Sequence, residues 1–120
     1  MVSAAQQAAY ADPRMEALHD MIGFVQRHYA GDVSLNDIAT AGRVSKSSCC
    51  AIFREYLHQT PVGYLTGYRL ERGAELLRNT NLTITEVAMR TGFASQSYFT
   101  ETFRKHNGIT PSDYRKERAR

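Results

Sequence analysis

The sequence predicts an all-α protein: seven helices, set in two similar units joined by one long connecting helix. Three observations predict it. Helix start signals recur along the chain, each followed by apolar residues at helical spacing. A segment of the chain repeats, in order, at an offset of about fifty residues. Between the copies lies a long helical stretch opened by Thr60-Pro61.

Residues 1–11 are rich in Ala and Gln and lack caps, so they are expected to be a tail or a linker remnant. Asp12-Pro13 starts the first helix, a capping acid followed by Pro at the first helical position. Leu18, Ile22, Val25 and Tyr29 recur at helical spacing, and Gly31 is expected to end it. It is a packing helix. Ser34 opens the second helix with Asp37 at its third position, and Leu35, Ile38 and Ala39 form its apolar edge. A turn follows at Gly42-Arg43-Val44. Ser45 caps the third helix, with Cys49, Ile52, Phe53, Tyr56 and Leu57 inward. Thr60 caps the connecting helix, which runs to about Asn79 with Leu65, Tyr68, Leu70, Ala74 and Leu77 available for burial.

After a loop at 79–82, Thr83 and Glu86 form a capping box for a short helix edged by Ile84, Val87 and Ala88. Gly92 permits a tight turn, because a residue without Cβ takes positive φ freely. Ser95 then caps the stretch SQSYFTETFRKH, with Phe99 and Phe103 four residues apart and Tyr98 beside them. Gly108 ends it, and Thr110-Pro111 opens a final basic helix. Two short helices across a glycine turn are a helix-turn-helix, whose second helix can enter a DNA major groove. The organisation is therefore a first helix-turn-helix subdomain at 12–60, a connecting helix at 61–79 and a second subdomain at 80–120.

The repeat ties these subdomains together. Ala39 and Val44 match Ala88 and Phe93 at an offset of 49. From Ser45 the offset is 50: Ser45/Ser95, Ser47/Ser97, Phe53/Phe103, Arg54/Arg104, Thr60/Thr110, Pro61/Pro111 and Tyr64/Tyr114. Duplication alone fits two helical hairpins without a ligand. Charge adds direction. Residues 1–60 hold five Lys/Arg against six Asp/Glu, and residues 61–120 hold ten against six, so the second half carries the excess behind the net +3. DNA offers the same groove about every 34 Å on one face. A connecting helix of about 18 residues spans about 27 Å. It can hold two reading helices roughly one turn apart, with DNA bending to close any shortfall.

Residues 15–118 resemble the DNA-binding domain of the AraC/XylS family of bacterial transcription regulators. The resemblance rests on Ile84-Thr-Glu-Val87-Ala88, Gly92-Phe93, Ser97-Tyr98-Phe99, Phe103-Arg104-Lys105, Gly108-Ile-Thr110-Pro111 and Tyr114-Arg115. The connector Tyr68-Arg69-Leu70-Glu-Arg-Gly-Ala74-Glu-Leu76-Leu77 is also similar to the family's. The resemblance implies two helix-turn-helix units, sequence-specific binding to double-stranded promoter DNA, and activation through contact with RNA polymerase. It puts base-reading positions at Ser47, Cys50 and Ala51 in the first unit, and at Gln96, Ser97 and Glu101 in the second. Gln96 suits adenine and Glu101 the cytosine amino group, Ser97 suits several bases, and Cys50 and Ala51 offer apolar contact. The second unit should therefore carry much of the hydrogen-bond specificity. Phosphate contacts are expected from Arg43, Lys46, Arg54, Arg104 and Lys105, with the caps Ser45 and Ser95 offering helix N-terminal donors.

Three departures from the family pattern stand out. Arg43 occupies the turn position that Gly92 fills in the second copy, so that turn is either strained or made with Gly42. Glu101 stands where a basic residue is common, and it repels phosphate unless it meets a base or a neighbouring cation. Gly63, Gly67 and Gly73 weaken the connector as a helix, and serve either close packing or looseness between the halves.

Other classes fit less well. The four histidines make no metal spacing with each other or with Cys49-Cys50, and there is no phosphate-binding glycine loop or nucleophile motif. The chain is read as no enzyme, needing no metal or cofactor. Cys49 matches Phe99 and is expected in the core; Cys50 matches Thr100 and should be more exposed. The alternative is an all-helical protein-interaction module, but Tyr64, Tyr98 and Tyr114 read as core or helix-packing residues. No apolar run can span a bilayer, no secretory signal is present and the two cysteines are poorly placed to pair, which predicts a cytoplasmic protein; the resemblance implies that it is nucleoid-associated. An effector would act only through a sensing domain absent from this chain.

Overall fold

The computed structural model describes residues 12–118; the tail expected at 1–11 lies outside them. The described residues form seven helices: α1 (Pro13–His28), α2 (Leu35–Ala41), α3 (Lys46–Leu57), α4 (Pro61–Asn79), α5 (Ile84–Arg90), α6 (Gln96–Asn107) and α7 (Pro111–Arg118). This is the all-α architecture expected from the repeat. The chain divides into two compact units. One holds the described residues up to His28 together with Val33–Leu65; the other holds Tyr29–Asp32 and everything from Thr66 onward.

In the first unit, Asp12 caps α1 through its carboxylate, which accepts the Arg14 N–H at 3.0 Å. Ala17, Leu18, Met21 and Val25 are buried along one stripe of α1. Met21, fully buried, takes the place expected of Ile22, which is only half-buried at the edge of the stripe. Ile38 and Ala39 of α2 and Cys49, Ile52 and Phe53 of α3 complete this core, with Leu65 from the first turns of α4. Two polar ties brace its surface. Arg14 Nε and Nη2 donate to Glu55 Oε2 at 3.1 and 2.6 Å, and the Tyr56 hydroxyl donates to Asp12 Oδ2 at 3.1 Å.

The second unit packs Leu70, Leu77, Val87, Ala88, Phe93, Phe99 and Phe103 into one cluster, with Tyr114 against it. Its aromatic rings touch in a chain, Phe93 to Phe99 to Phe103 to Tyr114, at centroid separations of 5.0, 5.7 and 5.4 Å. Gly73 lies against this chain: a Cβ there would sit 2.9 Å from the Phe99 ring, so α4 can approach α6 only through a glycine. That answers one of the two readings of the connector glycines in favour of close packing, at this position. Two arginines anchor loops by their carbonyls. Arg69 donates to Tyr29 O at 2.7 Å and to Gly31 O at 2.8 Å. Arg115 donates to Leu77 O, Thr80 O and Leu82 O, closing the C-terminal end of α4. The chain leaves helical geometry after His28, earlier than the expected stop at Gly31, and the carbonyls of Tyr29 and Gly31 that follow are taken up by Arg69.

Candidate nucleic-acid interface

Each unit builds the same local device from the same chemistry. In the first, Ser34 Oγ accepts the Asp37 N–H at 3.1 Å while the Asp37 carboxylate accepts the Ser34 N–H at 2.9 Å, a reciprocal cap that starts α2. In the second, Thr83 and Glu86 exchange the same pair of bonds at 3.1 and 3.3 Å and start α5. The turn backbones also coincide: Val44 N–H donates to Ala39 O, and Phe93 N–H to Ala88 O, at 3.1 and 3.0 Å. Arg43 and Gly92 are the residues with positive φ, at 56° and 89°. The first turn is thus made through Arg43, while Gly42 keeps φ −90°. Of the two readings left by the sequence, strain at Arg43 is the one adopted, at a cost of roughly 1–2 kcal/mol for a left-handed L-residue. Gly42 is small for another reason: a Cβ there would sit 2.7 Å from the Met21 side chain.

The second helix of each device begins at a serine. Ser45 Oγ accepts the Ser48 N–H and Ser95 Oγ accepts the Tyr98 N–H, each at 3.1 Å. One N–H of each first turn is therefore satisfied, and the earlier ones, on Lys46, Ser47, Gln96 and Ser97, point out of the helix end without intrahelical partners. Neither helix has an acid in its first turn. Each end therefore carries the partial positive charge that favours an anion such as phosphate.

On α3, Ser47 and Ala51 are exposed and Cys50 is half-buried beside the buried Cys49. Lys46 and Arg54 are exposed and make no ion pair among the described residues. Arg43, with its side chain 80% exposed, reaches Asp20 Oδ2 only at 3.5 Å. On α6, Gln96, Ser97 and Glu101 are all exposed, as are Ser95, Arg104 and Lys105. The α6 side chains are held more firmly. Gln96 Oε1 accepts a hydrogen bond from Thr85 Oγ1 of α5. Glu101 Oε1 accepts from Arg104 Nη2 at 2.7 Å and lies 3.9 Å from Lys105 Nζ. The Arg104 hydrogen bond and charge hold the Glu101 carboxyl below the usual carboxylate range.

Of the core and packing roles expected for it, Tyr98 takes the packing one. It is 55% exposed, with its ring edge-on to Phe93 at 5.6 Å, and so it lies on the surface of α6 and not in the core. Helical geometry explains this: the residue before Phe99 is turned about 100° from the buried stripe. Thr85 was not singled out from the sequence. It lies 11 residues from Gln96, and no periodicity along either helix signals a bond across the turn.

A protein-family profile described as a helix-turn-helix domain matches residues 38–117. Among curated proteins, an uncharacterised helix-turn-helix-type transcriptional regulator of Bacillus subtilis, YdeC, is 36% identical over 99 residues, covering 82% of this chain and 34% of its own length. The chain spans about a third of the length of the curated relatives it matches. Among solved structures, an AraC-type transcriptional regulator from Chromobacterium violaceum superposes with a TM-score of 0.82 at 31% identity, covering 87% of this chain and 93% of that one. The fold is also shared, at 24% identity and a TM-score of 0.81, by the DNA-binding domain of the global transcriptional factor AdpA, solved with a target DNA; 85% of this chain and 92% of that one are covered. Two capped helical pairs with the same turn geometry, and a profile match that runs through both, place the chain in one group: it belongs to the AraC-type helix-turn-helix DNA-binding domains of transcriptional regulators.

Proposed function

We propose that this domain reads double-stranded promoter DNA sequence-specifically, with the helices at 45–57 and 95–107 entering two adjacent major-groove segments. Ser47, Cys50 and Ala51 meet bases in one segment, and Gln96, Ser97 and Glu101 in the other. Arg43, Ser45, Lys46, Arg54, Ser95, Arg104 and Lys105 hold phosphates and set the register. The observation that carries this reading is the pair of exposed helices, each capped by a serine and free of acids in its first turn. The protein would act in the cytoplasm at the nucleoid and raise transcription through contact with RNA polymerase. An effector, where one exists, would act through residues outside this domain.

Selection of bound duplexes from a random pool by this chain, at moderate salt, tests the reading. Enrichment of two short boxes about one helical turn (about 34 Å) apart is the expected result. Gln96→Ala should then erase an adenine preference at one position of one box. Lys46→Ala or Arg54→Ala should weaken binding to every sequence and lower the salt slope by about 0.9 each. Binding that is absent even at low salt would overturn the DNA reading and favour a protein-interaction module instead.

A further inference from the structure

Glu101 occupies the middle of the outward face of α6. Residues of an α-helix step by about 100°, so the stripe through Phe99 and Phe103, both fully buried, leaves Ser97, Glu101 and Arg104 on the opposite side. An acid in the middle of a DNA-facing surface is opposed by every phosphate around it. In the free protein that charge is met within the helix. A single carboxylate oxygen, Oε1, takes the Arg104 guanidinium at 2.7 Å and draws the Lys105 ammonium to 3.9 Å. All three side chains are half exposed or more, and no other ion pair holds them among the described residues. The two cations best placed to clamp phosphates are therefore tied to the residue best placed to read a base.

We propose that Glu101 acts as a specificity gate: it holds Arg104 and Lys105 back from the phosphates of arbitrary DNA, and yields them where a cytosine amino group replaces them on its carboxylate. This rests on the reading that α6 faces the major groove. The argument is one of competing partners. Phosphates drawing Arg104 and Lys105 away leave a bare carboxylate in a negative groove. Guanine offers N7 and O6 acceptors there, and thymine its O4 acceptor, so both worsen the repulsion. Adenine offers an amino donor but sets the N7 acceptor beside it. Cytosine offers its N4 amino group without a neighbouring acceptor, and so compensates the carboxylate best. Each exposed ion pair is modest alone, but the two on one carboxylate together restrain the cations by about tenfold, and a cytosine amino group on that carboxylate offsets their loss where other bases do not.

The first unit provides an internal contrast. At the position matching Glu101 it has Ala51, and the matching cation, Arg54, makes no ion pair among the described residues. The residue matching Lys105 is Glu55, which is tied to Arg14. Phosphate attraction by α3 is thus ungated.

The test compares wild type, E101Q, R104Q and E101Q/R104Q, each as the full chain, on a selected duplex and on a scrambled one across a salt series. Glutamine keeps the shape of Glu101 and removes its charge, and circular dichroism confirms that the helices are retained. E101Q is expected to tighten scrambled-duplex binding by about tenfold at low salt and to steepen its log–log salt slope by about 0.9 to 1.8, for one or two freed cations. The selected duplex should gain much less, and a cytosine preference should disappear from one position on reselection. In the R104Q background the gain should shrink to about threefold, the share of Lys105. Loss of the cytosine preference with unchanged scrambled-duplex affinity would mean that Glu101 reads a base and restrains nothing, which overturns the gate and spares the DNA reading. A full tenfold gain in the R104Q background would also overturn it, since the carboxylate would then act by repulsion alone. A tighter grip on the scrambled duplex with the cytosine preference intact would sink the release step. If neither affinity nor preference changes while the protein still binds DNA, both the gate and the placement of Glu101 in the groove are wrong.

Discussion

The two units share one plan and differ in how well it is executed. The second has Gly92 in its turn and Gly108 at the end of α6, at φ 89° and 83°. The first has Arg43 and His58 at the matching places, at φ 56° and 57°. The second fills its core with Phe99 where the first has Cys49. The second ties its outward helix face with Glu101 and the Thr85–Gln96 bond, whereas no matching tie holds Ser47, Ala51 or Arg54 in the first among the described residues. A duplicated unit thus tolerates left-handed backbone and a smaller core side chain in one copy, while the other copy keeps the favoured residues. Physical differences of this kind can be tested by making one copy resemble the other.

The largest effect is expected at Gly92. A Cβ there would lie 2.6 Å from Tyr29 O and 2.7 Å from Arg69 Nε, the two atoms joined by the Arg69 anchor. Arg43 escapes this penalty because its side chain projects into solvent. Gly92→Ala should therefore cost roughly 3 kcal/mol or more, combining left-handed strain with a displaced hydrogen bond. Urea unfolding measures the total, and amide exchange in residues 84–107 locates it. A loss below about 1 kcal/mol would show that the Arg69 anchor moves aside freely, since strain alone accounts for that much.

Next comes the core position. Burial, helped by the neighbouring Cys50, pushes the Cys49 thiol from 9.0 up to about 11. The unfolded chain gives up this proton near pH 9, and the folded chain keeps it until about 11. Ionisation thus favours the unfolded state between these values: the contribution of the neutral thiol is complete below pH 9, falls across the interval and is exhausted above 11. The loss should be of the order of 2 kcal/mol. Subtracting the pH profile of Cys49→Ala isolates it from the tyrosines and lysines that titrate in the same range. A flat difference between pH 8 and 11 would mean that Cys49 ionises as if exposed.

Much of this plan can be read from residue order, and the exceptions have a common cause. Capping boxes, the serine caps and the Pro starts are local chemistry, and helices begin where Asp12, Ser34, Ser45, Thr60, Thr83, Ser95 and Thr110 announce them. The buried Phe99 and Phe103 follow from spacing alone. The repeat marks Arg43 as the odd partner of Gly92, yet residue order offers Gly42 as an equal candidate, because that glycine is there for packing against Met21 and not for the turn. Contacts across distance stay hidden for the same reason: Arg69 with Tyr29 and Gly31, Arg115 with the end of α4, and Thr85 with Gln96. Between core and helix packing, the two roles open to Tyr98, its angular position on α6 decides for packing at the surface against Phe93.

Replacing the strained residues of the first unit should bring it closer to the second. Arg43→Gly and His58→Gly each remove a left-handed side-chain penalty of roughly 1–2 kcal/mol and add back part of it as chain entropy. A net gain of about 1 kcal/mol is expected from each, read as slower amide exchange in α2 and α3. Arg43→Gly also separates backbone from charge. If Arg43 holds a phosphate, the stabilised variant binds DNA less tightly, with a salt slope lower by about 0.9. If the slope is unchanged, Arg43 serves no phosphate contact and its side chain is simply tolerated.

The smallest effect, and the one that bears most directly on the gate, is expected from giving the first unit an acid of its own. Ala51→Glu places a carboxylate three residues before Arg54, the spacing that joins Glu101 to Arg104. The new pair lacks a second cation, because Glu55 stands four residues on and is engaged with Arg14. Restraint should therefore be partial: about threefold weaker binding to all duplexes, and a salt slope lower by about 0.9 for the one cation withdrawn. Sequence choice in that half-site should shift toward cytosine at one position. A substitution that weakens binding without lowering the slope acts through lost contact and leaves Arg54 free. A lowered slope without a new preference means that α3 approaches the phosphates but presents residue 51 to no base edge. In that case hydrogen-bond readout belongs to α6, and α3 acts as the ungated anchor of the pair.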